Sequence, residues 1–265
     1  TSFVNLTINS GTSIAVNESI AVTNQLTLTS GYLVPAADKI LSLANGATVT
    51  GASNSAYVRG PVKKIGTNGN TNYAFDFPIG KLNSAVYDPV RITFPNSSAT
   101  EEVSVSYHES AFSTNLKNSN VRDVASEYWI ITPSALVANA SGLHVKLHYK
   151  SAGGNYFTNA TNVSYYKVGH FSTTTNTWEV AVGLDAAQNS ADAGSTLAEG
   201  FATANGVTNF SRFTMIEIAS SVLPVHLTQF SARVVPDNKV LLNWSTDQEQ
   251  QSRGFVIERA TLSSQ

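Results

Sequence analysis

Cysteine is absent from all 265 residues, which excludes disulfides, thiolate metal centres and cysteine nucleophiles at once. Charge is scarce as well. Asp, Glu, Lys and Arg together make up 13% of the chain, about half the usual share, and Ser, Thr, Asn and Gly take the polar positions. Lys and Arg number 16 against 18 Asp and Glu, for a net charge of -2. That balance does not build the basic footprint of a nucleic-acid partner, so none is expected. No apolar run reaches the roughly 18 residues of a membrane-spanning helix, and Thr1 opens no signal-peptide pattern. The expectation is a mature chain without a membrane span, its export signal removed.

What is present is alternation with period two, the mark of half-buried strands. Leu6-Thr7-Ile8-Asn9-Ser10-Gly11 returns twenty residues later as Leu26-Thr27-Leu28-Thr29-Ser30-Gly31, and a looser copy follows at Leu41-Ser42-Leu43-Ala44-Asn45-Gly46. Strands this short cannot bury a face alone. Residues 1–60 are therefore read as stacked rungs of a parallel β-solenoid, with an antiparallel meander of hairpins as the alternative. Either way Leu6, Ile8, Leu26, Leu28, Leu41 and Leu43 should point inward.

From Gly60-Pro61 the pattern changes. Further strands are expected at Val103–Tyr107, Leu143–Lys150, Val163–Val168, Trp178–Val182 and Phe213–Ile218, with Tyr128-Trp129-Ile130 and Trp178 supplying the largest core side chains. Spaced strands with turn signals and almost no helical periodicity predict an antiparallel β-sandwich over residues 61–220. Glu109–Leu116 and Ala186–Ala198 are the best helix candidates, the second equally readable as an ordered loop. The Gly-rich runs Gly66–Asn70 and Ala152–Asn155 lack the Lys and helix of a phosphate loop and read as hairpin turns.

Residues 221–265 carry Leu223-Pro224-Val225, then Leu227–Val234, a break at Pro236-Asp237-Asn238, Val240–Trp244 and Gly254–Arg259. Three short strands in that spacing begin an immunoglobulin-like sandwich. The wording LPVHLTQFSA, NKVLLNWST and RGFVIERA resembles the fibronectin-type-III-like module of proteins that Bacteroidota export through the type IX secretion system. Phe77-Pro78-Ile79-Gly80 followed by Tyr87-Asp88-Pro89-Val90 resembles a second signature of the same exported proteins, in which a solenoid-like repeat leads into an "FPIG" domain. The resemblance implies an extracellular or cell-surface location and says nothing of chemistry. Asn-x-Ser/Thr triplets such as Asn5, Asn96 and Asn243 are those expected by chance in so Asn- and Ser-rich a chain.

Candidate chemistry is thin. His144 and His148 stand on one face of the strand Leu143–Lys150, where two imidazoles can contribute to a zinc site; Lys146 between them opposes a cation. A solvated face of His144, Lys146, His148 and Lys150 is the expectation, with Leu143, Val145, Leu147 and Tyr149 inward. The carboxylates Asp76, Asp88, Glu101, Glu102, Glu109, Asp123 and Glu127 are scattered, and no spacing sets a pair at glycosidase separation. Asp185, Asn189 and Asp192 offer oxygens to calcium without EF-hand order. No Gly-x-Ser-x-Gly elbow occurs. Neither catalytic, cofactor-binding nor metal residues are assigned.

The function expected from all this is an extracellular, non-enzymatic structural or adhesive protein. Its partners would be further copies, in an oligomer or filament joined through strand edges that include Leu227–Arg259, and a glycan. The alternative is a carbohydrate-binding module or polysaccharide-acting enzyme, since the same folds host both.

Overall fold

The computed structural model describes residues 1–66, 73–94, 101–134, 143–219, 226–236 and 239–248. Among them the chain is all β, with one 3-10 turn at Val163–Tyr165. The strands are β1 (Ser2–Val16), β2 (Ile20–Pro35), β3 (Leu41–Leu43), β4 (Thr48–Thr50), β5 (Val62–Gly66), β6 (Tyr73–Phe77), β7 (Val90–Phe94), β8 (Glu101–His108) and β9 (Val121–Val124). They continue as β10 (Tyr128–Pro133), β11 (Leu143–Lys150), β12 (Tyr166–Ser172), β13 (Thr177–Val180), β14 (Asn189–Ala191), β15 (Glu199–Val207), β16 (Arg212–Ile218), β17 (His226–Val235) and β18 (Lys239–Gln248). Two compact units result, Thr1–Ala219 and Ser220–Gln265.

The N-terminal rungs stack in parallel: β1 on β2, β2 on β3 and β4, β3 on β5. This is the solenoid rather than the meander. Leu6 pairs with Leu26 and Ile8 with Leu28, as the repeat predicts, and Ile8, Leu26, Leu28, Leu41 and Leu43 are buried while Leu6 is half-buried. Fully burying such a side chain contributes roughly 1.5–3 kcal/mol. The third copy does not continue the first two. Leu41 stacks on Ile20 and Leu43 on Val22, while the residue that stacks on Leu26 is Val49. Leu-x-Leu recurs on two successive stretches of a rung, and sequence likeness alone does not distinguish them.

At β5 the sheet changes character. One edge of β5 takes β3 in parallel and the other takes β8 antiparallel, so the solenoid wall runs on into β10, β16, β12 and β13, with β9 beside β16. A second, antiparallel sheet has the order β14-β15-β11-β7-β6. Both sheets supply one core: Val103 and Val105 of β8, Trp129 of β10 and Phe213 of β16 belong to the same buried cluster as Leu143, Val145, Leu147 and Tyr149 of β11. That is the sandwich. Trp178 lies in a smaller cluster with Phe171, Val121, Val124, Val180 and Ile216.

Several expectations need correction. Glu109–Leu116 is irregular chain with Ser113 at a φ of 45°, and Ala186–Ala198 is a loop holding β14. The strand expected from Val163 starts only at Tyr166, and the one expected to reach Val182 stops at Val180, because Val182 adopts a φ of 55°. The run Ala152–Asn155 is not a hairpin turn, because β11 and β12 belong to different sheets; the run Gly66–Asn70 lies, beyond Gly66, outside the described residues. Residues 67–72, the turn at 237–238, Leu223-Pro224-Val225 and the strand Gly254–Arg259 lie outside the described residues.

Candidate functional site

Strand β11 carries the first group of polar residues, and here the outward-facing expectation fails for one of them. His144 and Lys146 are partly exposed and Lys150 is exposed, but His148 is buried. Its cover comes from the segment before β7. Asp88, fully buried, sets Oδ1 at 2.9 Å from His148 Nδ1. The ring also packs at 4.9 Å from Phe201 of β15, its cross-strand partner. Burial pushes the Asp88 carboxyl up to about 6; the bond from His148 works against that rise and the charge of Glu127 adds to it.

Beyond His148 opens a cleft of about 320 Å³, whose lining includes Asn54, Tyr87, His148, Lys150, Glu199 and Phe201. Lys150 Nζ reaches both Glu199 oxygens at 2.9 Å, and His148 Nε2 lies 3.7 Å from Glu199 Oε1. The hydrogen bond from Lys150 holds the Glu199 carboxyl below its ordinary range. Asn54 arrives from the solenoid, its Oδ1 accepting from Tyr87 N–H at 2.9 Å.

A second cleft, of about 300 Å³, shares Lys150 and is lined also by Lys81, Glu127 and Tyr156. Glu127 is buried, yet its carboxylate is well satisfied. Lys81 Nζ is 2.9 Å away, Tyr156 donates at 2.6 Å and Tyr107 donates to the other oxygen. Both phenols are driven well above their usual pKa by burial and then by the Glu127 charge. Burial lowers the Lys81 pKa, but Glu127 more than offsets this and leaves it raised. The arrangement gives both oxygens of a buried carboxyl group a partner and fixes it in place.

The other carboxylates go to structural work. Asp76 forks onto Arg91 at 2.6 and 2.7 Å, Glu102 pairs with Lys63 at 3.1 Å, Glu109 takes Asn83, and Asp123 caps Val124 N–H. Glu101 is buried in β8. The charge of Glu127 reaches Asp88 and adds to the rise of its pKa.

The calcium candidates are also committed elsewhere. Asn189 is fully buried; its Oδ1 accepts from Val168 N–H at 2.9 Å while Nδ2 donates to Val168 O and Ala181 O at 2.8 and 2.7 Å. Asp192 takes Lys146 at 2.5 Å and the Thr203 hydroxyl at 2.6 Å, and Asp185 caps Ala187 N–H. Among the described residues no group of three His, Asp or Glu side chains converges as a metal site. Sequence reasoning missed Lys64, fully buried with Nζ donating to Ala47 O at 2.9 Å and a pKa lowered to about 8 by burial. Its only signal was a lysine on the inward side of β5.

In the second unit, β17 and β18 form an antiparallel hairpin. Phe230 lies opposite Trp244, Ala232 opposite Leu242 and Val234 opposite Val240. Opposed residues share a face, so these six apolar side chains gather on one face, while Gln229, Ser231, Arg233, Leu241, Asn243 and Ser245 lie on the other. On the apolar face Phe230 is 61% exposed, Val234 76% and Val240 58%. No helix among the described residues is long and apolar enough to cross a membrane. Compared with known proteins, the chain matches no family model and no curated protein sequence.

Proposed function

We propose that the chain is an extracellular structural or adhesive protein of the type IX export class, whose copies associate through β-strand surfaces. The observation that carries this is the hairpin: two strands of ten residues each whose apolar face, with Phe230, Val234 and Val240, is open to solvent. An exposed apolar face of this kind marks an interaction surface, and covering it with a second copy removes the cost of exposing it. A second feature agrees. Among the described residues β1 pairs on one side only, with β2, and Ser2–Val16 contains neither a charge nor a proline. Those are the devices by which monomeric proteins protect a sheet edge.

The test is analytical ultracentrifugation with negative-stain imaging of the full chain across about 1–100 μM, a range that brackets associations of moderate strength. Concentration-dependent assembly is expected. A single monomeric boundary throughout that range overturns the reading.

A further inference from the structure

The cleft beside His148 lies wholly in the Thr1–Ala219 unit and owes nothing to the hairpin. The geometry points to a binding site for one or two rings of a neutral saccharide, with Tyr87 and Phe201 as apolar surfaces and His148, Glu199 and Lys150 as hydrogen-bonding groups. This gives the adhesive reading a ligand class, and it stands even for a chain that never assembles.

Charge excludes the ionic alternatives first. Lys150 is matched by Glu199, with both oxygens at 2.9 Å, and His148 is backed by Asp88. An anionic ligand would have to displace Glu199 from Lys150, and a cation would meet the Lys150 ammonium. A polyol faces neither penalty, because it donates and accepts with the same hydroxyl.

Orientation comes next. With Nδ1 engaged by Asp88, His148 has only Nε2 left for a ligand, and the buried partner fixes the ring as a second-layer carboxylate does elsewhere. Nε2 and Glu199 Oε1 are 3.7 Å apart, too far for a direct hydrogen bond. Yet they are close enough for one hydroxyl oxygen to contact both. Asn54 contributes similarly: its Oδ1 is taken by Tyr87 N–H, which leaves the NH₂ as the end able to donate.

Aromatic surface supplies the rest. Phe201 is held in place by Lys146, whose Nζ lies 4.7 Å from the ring centroid, and by His148. Tyr87 is partly buried, with its phenol pushed up to about 12 by that burial. A few convergent polar groups among rigid rings are the composition of a small-molecule site, and about 320 Å³ sits at the small end of the range.

The experiment titrates the ¹⁵N-labelled full chain with cellotetraose, xylotetraose, mannotetraose and trigalacturonate. At least one neutral sugar should give saturable shifts around Tyr87, His148 and Phe201, with Kd on the order of 1 mM for so small a contact. Phe201→Ala should weaken it about tenfold, and Glu199→Gln about three- to tenfold. Should Phe201→Ala lose its dispersed spectrum, Glu199→Gln and Tyr87→Ala carry the comparison. The proposal fails if no neutral sugar saturates below about 20 mM, if trigalacturonate binds more tightly than all of them, or if the variants leave binding unchanged. Assembly state, read separately by sedimentation, does not enter the result.

Discussion

Asp88 Oδ1 lies 2.9 Å from His148 Nδ1, joining residues 60 apart in sequence, and the carboxyl in that pair is fully buried with Oδ2 lacking a hydrogen bond among the described residues. Burial raises its pKa from 3.8 to about 6. An acid whose pKa is raised by folding binds more protons in the native state than in the unfolded one, so stability falls as pH rises through that window. The loss between about pH 4 and 6 should be on the order of 3 kcal/mol. Asp88→Asn retains an oxygen to accept from His148 but cannot ionise. Urea unfolding of both proteins across that window should show the difference: the wild type loses stability relative to the variant as pH rises. Parallel curves would mean that Asp88 is not the titrating group.

How much of this was legible in sequence differs from strand to strand. Alternation placed Leu143, Val145, Leu147 and Tyr149 inward because a pleated strand turns successive side chains to opposite faces, and the repeat paired Leu6 with Leu26 because equal rungs stack in register. The burial of His148 was not legible. It depends on a segment remote in sequence laying Asp88 over an outward position, and period-two reasoning treats every outward position as wet. Lys64 escaped for the converse reason: it sits inward on β5, where the carbonyls of another rung, Ala47 among them, satisfy its ammonium. Neither cleft was visible, since each is assembled from loops and strands of separate segments. The hairpin was visible as strands, and the alternation at Val240, Leu242 and Trp244 marked an apolar face; which residues oppose one another, Phe230 and Trp244 among them, required the register.

Asn189 and Asp185 share one loop and invite a paired test. Replacing Asn189 with Ala removes the carboxamide that meets the Val168 N–H and the Ala181 C=O, while the Val168 C=O keeps the Ala181 N–H at 3.0 Å. Buried polar groups left without partners cost about 1–3 kcal/mol each, so a total loss of about 2–5 kcal/mol is expected. Asp185 is exposed and gives up a single cap to Ala187; its Ala variant should lose less than about 1 kcal/mol. Thermal unfolding ranks the two, and millimolar calcium should leave both midpoints unmoved. A calcium-dependent rise lost in Asp185→Ala would restore the loop as an ion site.

Association should respond to the apolar face of the hairpin and not to its polar face. Phe230→Ser with Val240→Ser removes two exposed apolar side chains, each worth roughly 1.5–3 kcal/mol when buried against a partner. Sedimentation should then show assembly weakened by at least about a hundredfold. Ser231→Ala with Asn243→Ala, on the opposite face of the same strands, should change it little. Equal effects from both pairs would assign the result to hairpin stability instead of contact.

The rung corners supply the sharpest contrast in the solenoid, because two glycines with similar backbones sit in different surroundings. Gly11 has a φ of 67° and open space where a Cβ would stand; Gly31 has a φ of 84°, and a Cβ there would fall 2.3 Å from Thr12 O and 2.6 Å from Ser10 Oγ. Both therefore incur the left-handed penalty on substitution, about 1–2 kcal/mol. Only Gly31 adds a collision with the backbone of the neighbouring rung, which cannot move without opening the pairing of β1 on β2. Gly11→Ala should cost about 1 kcal/mol, whereas Gly31→Ala should cost about 3 kcal/mol or more. Hydrogen exchange should locate the damage as well as size it, with protection lost along β1 first, since it is held from one side only among the described residues. If the two variants unfold at the same urea concentration, the close approach of the rungs at Gly31 is not a feature of the folded protein.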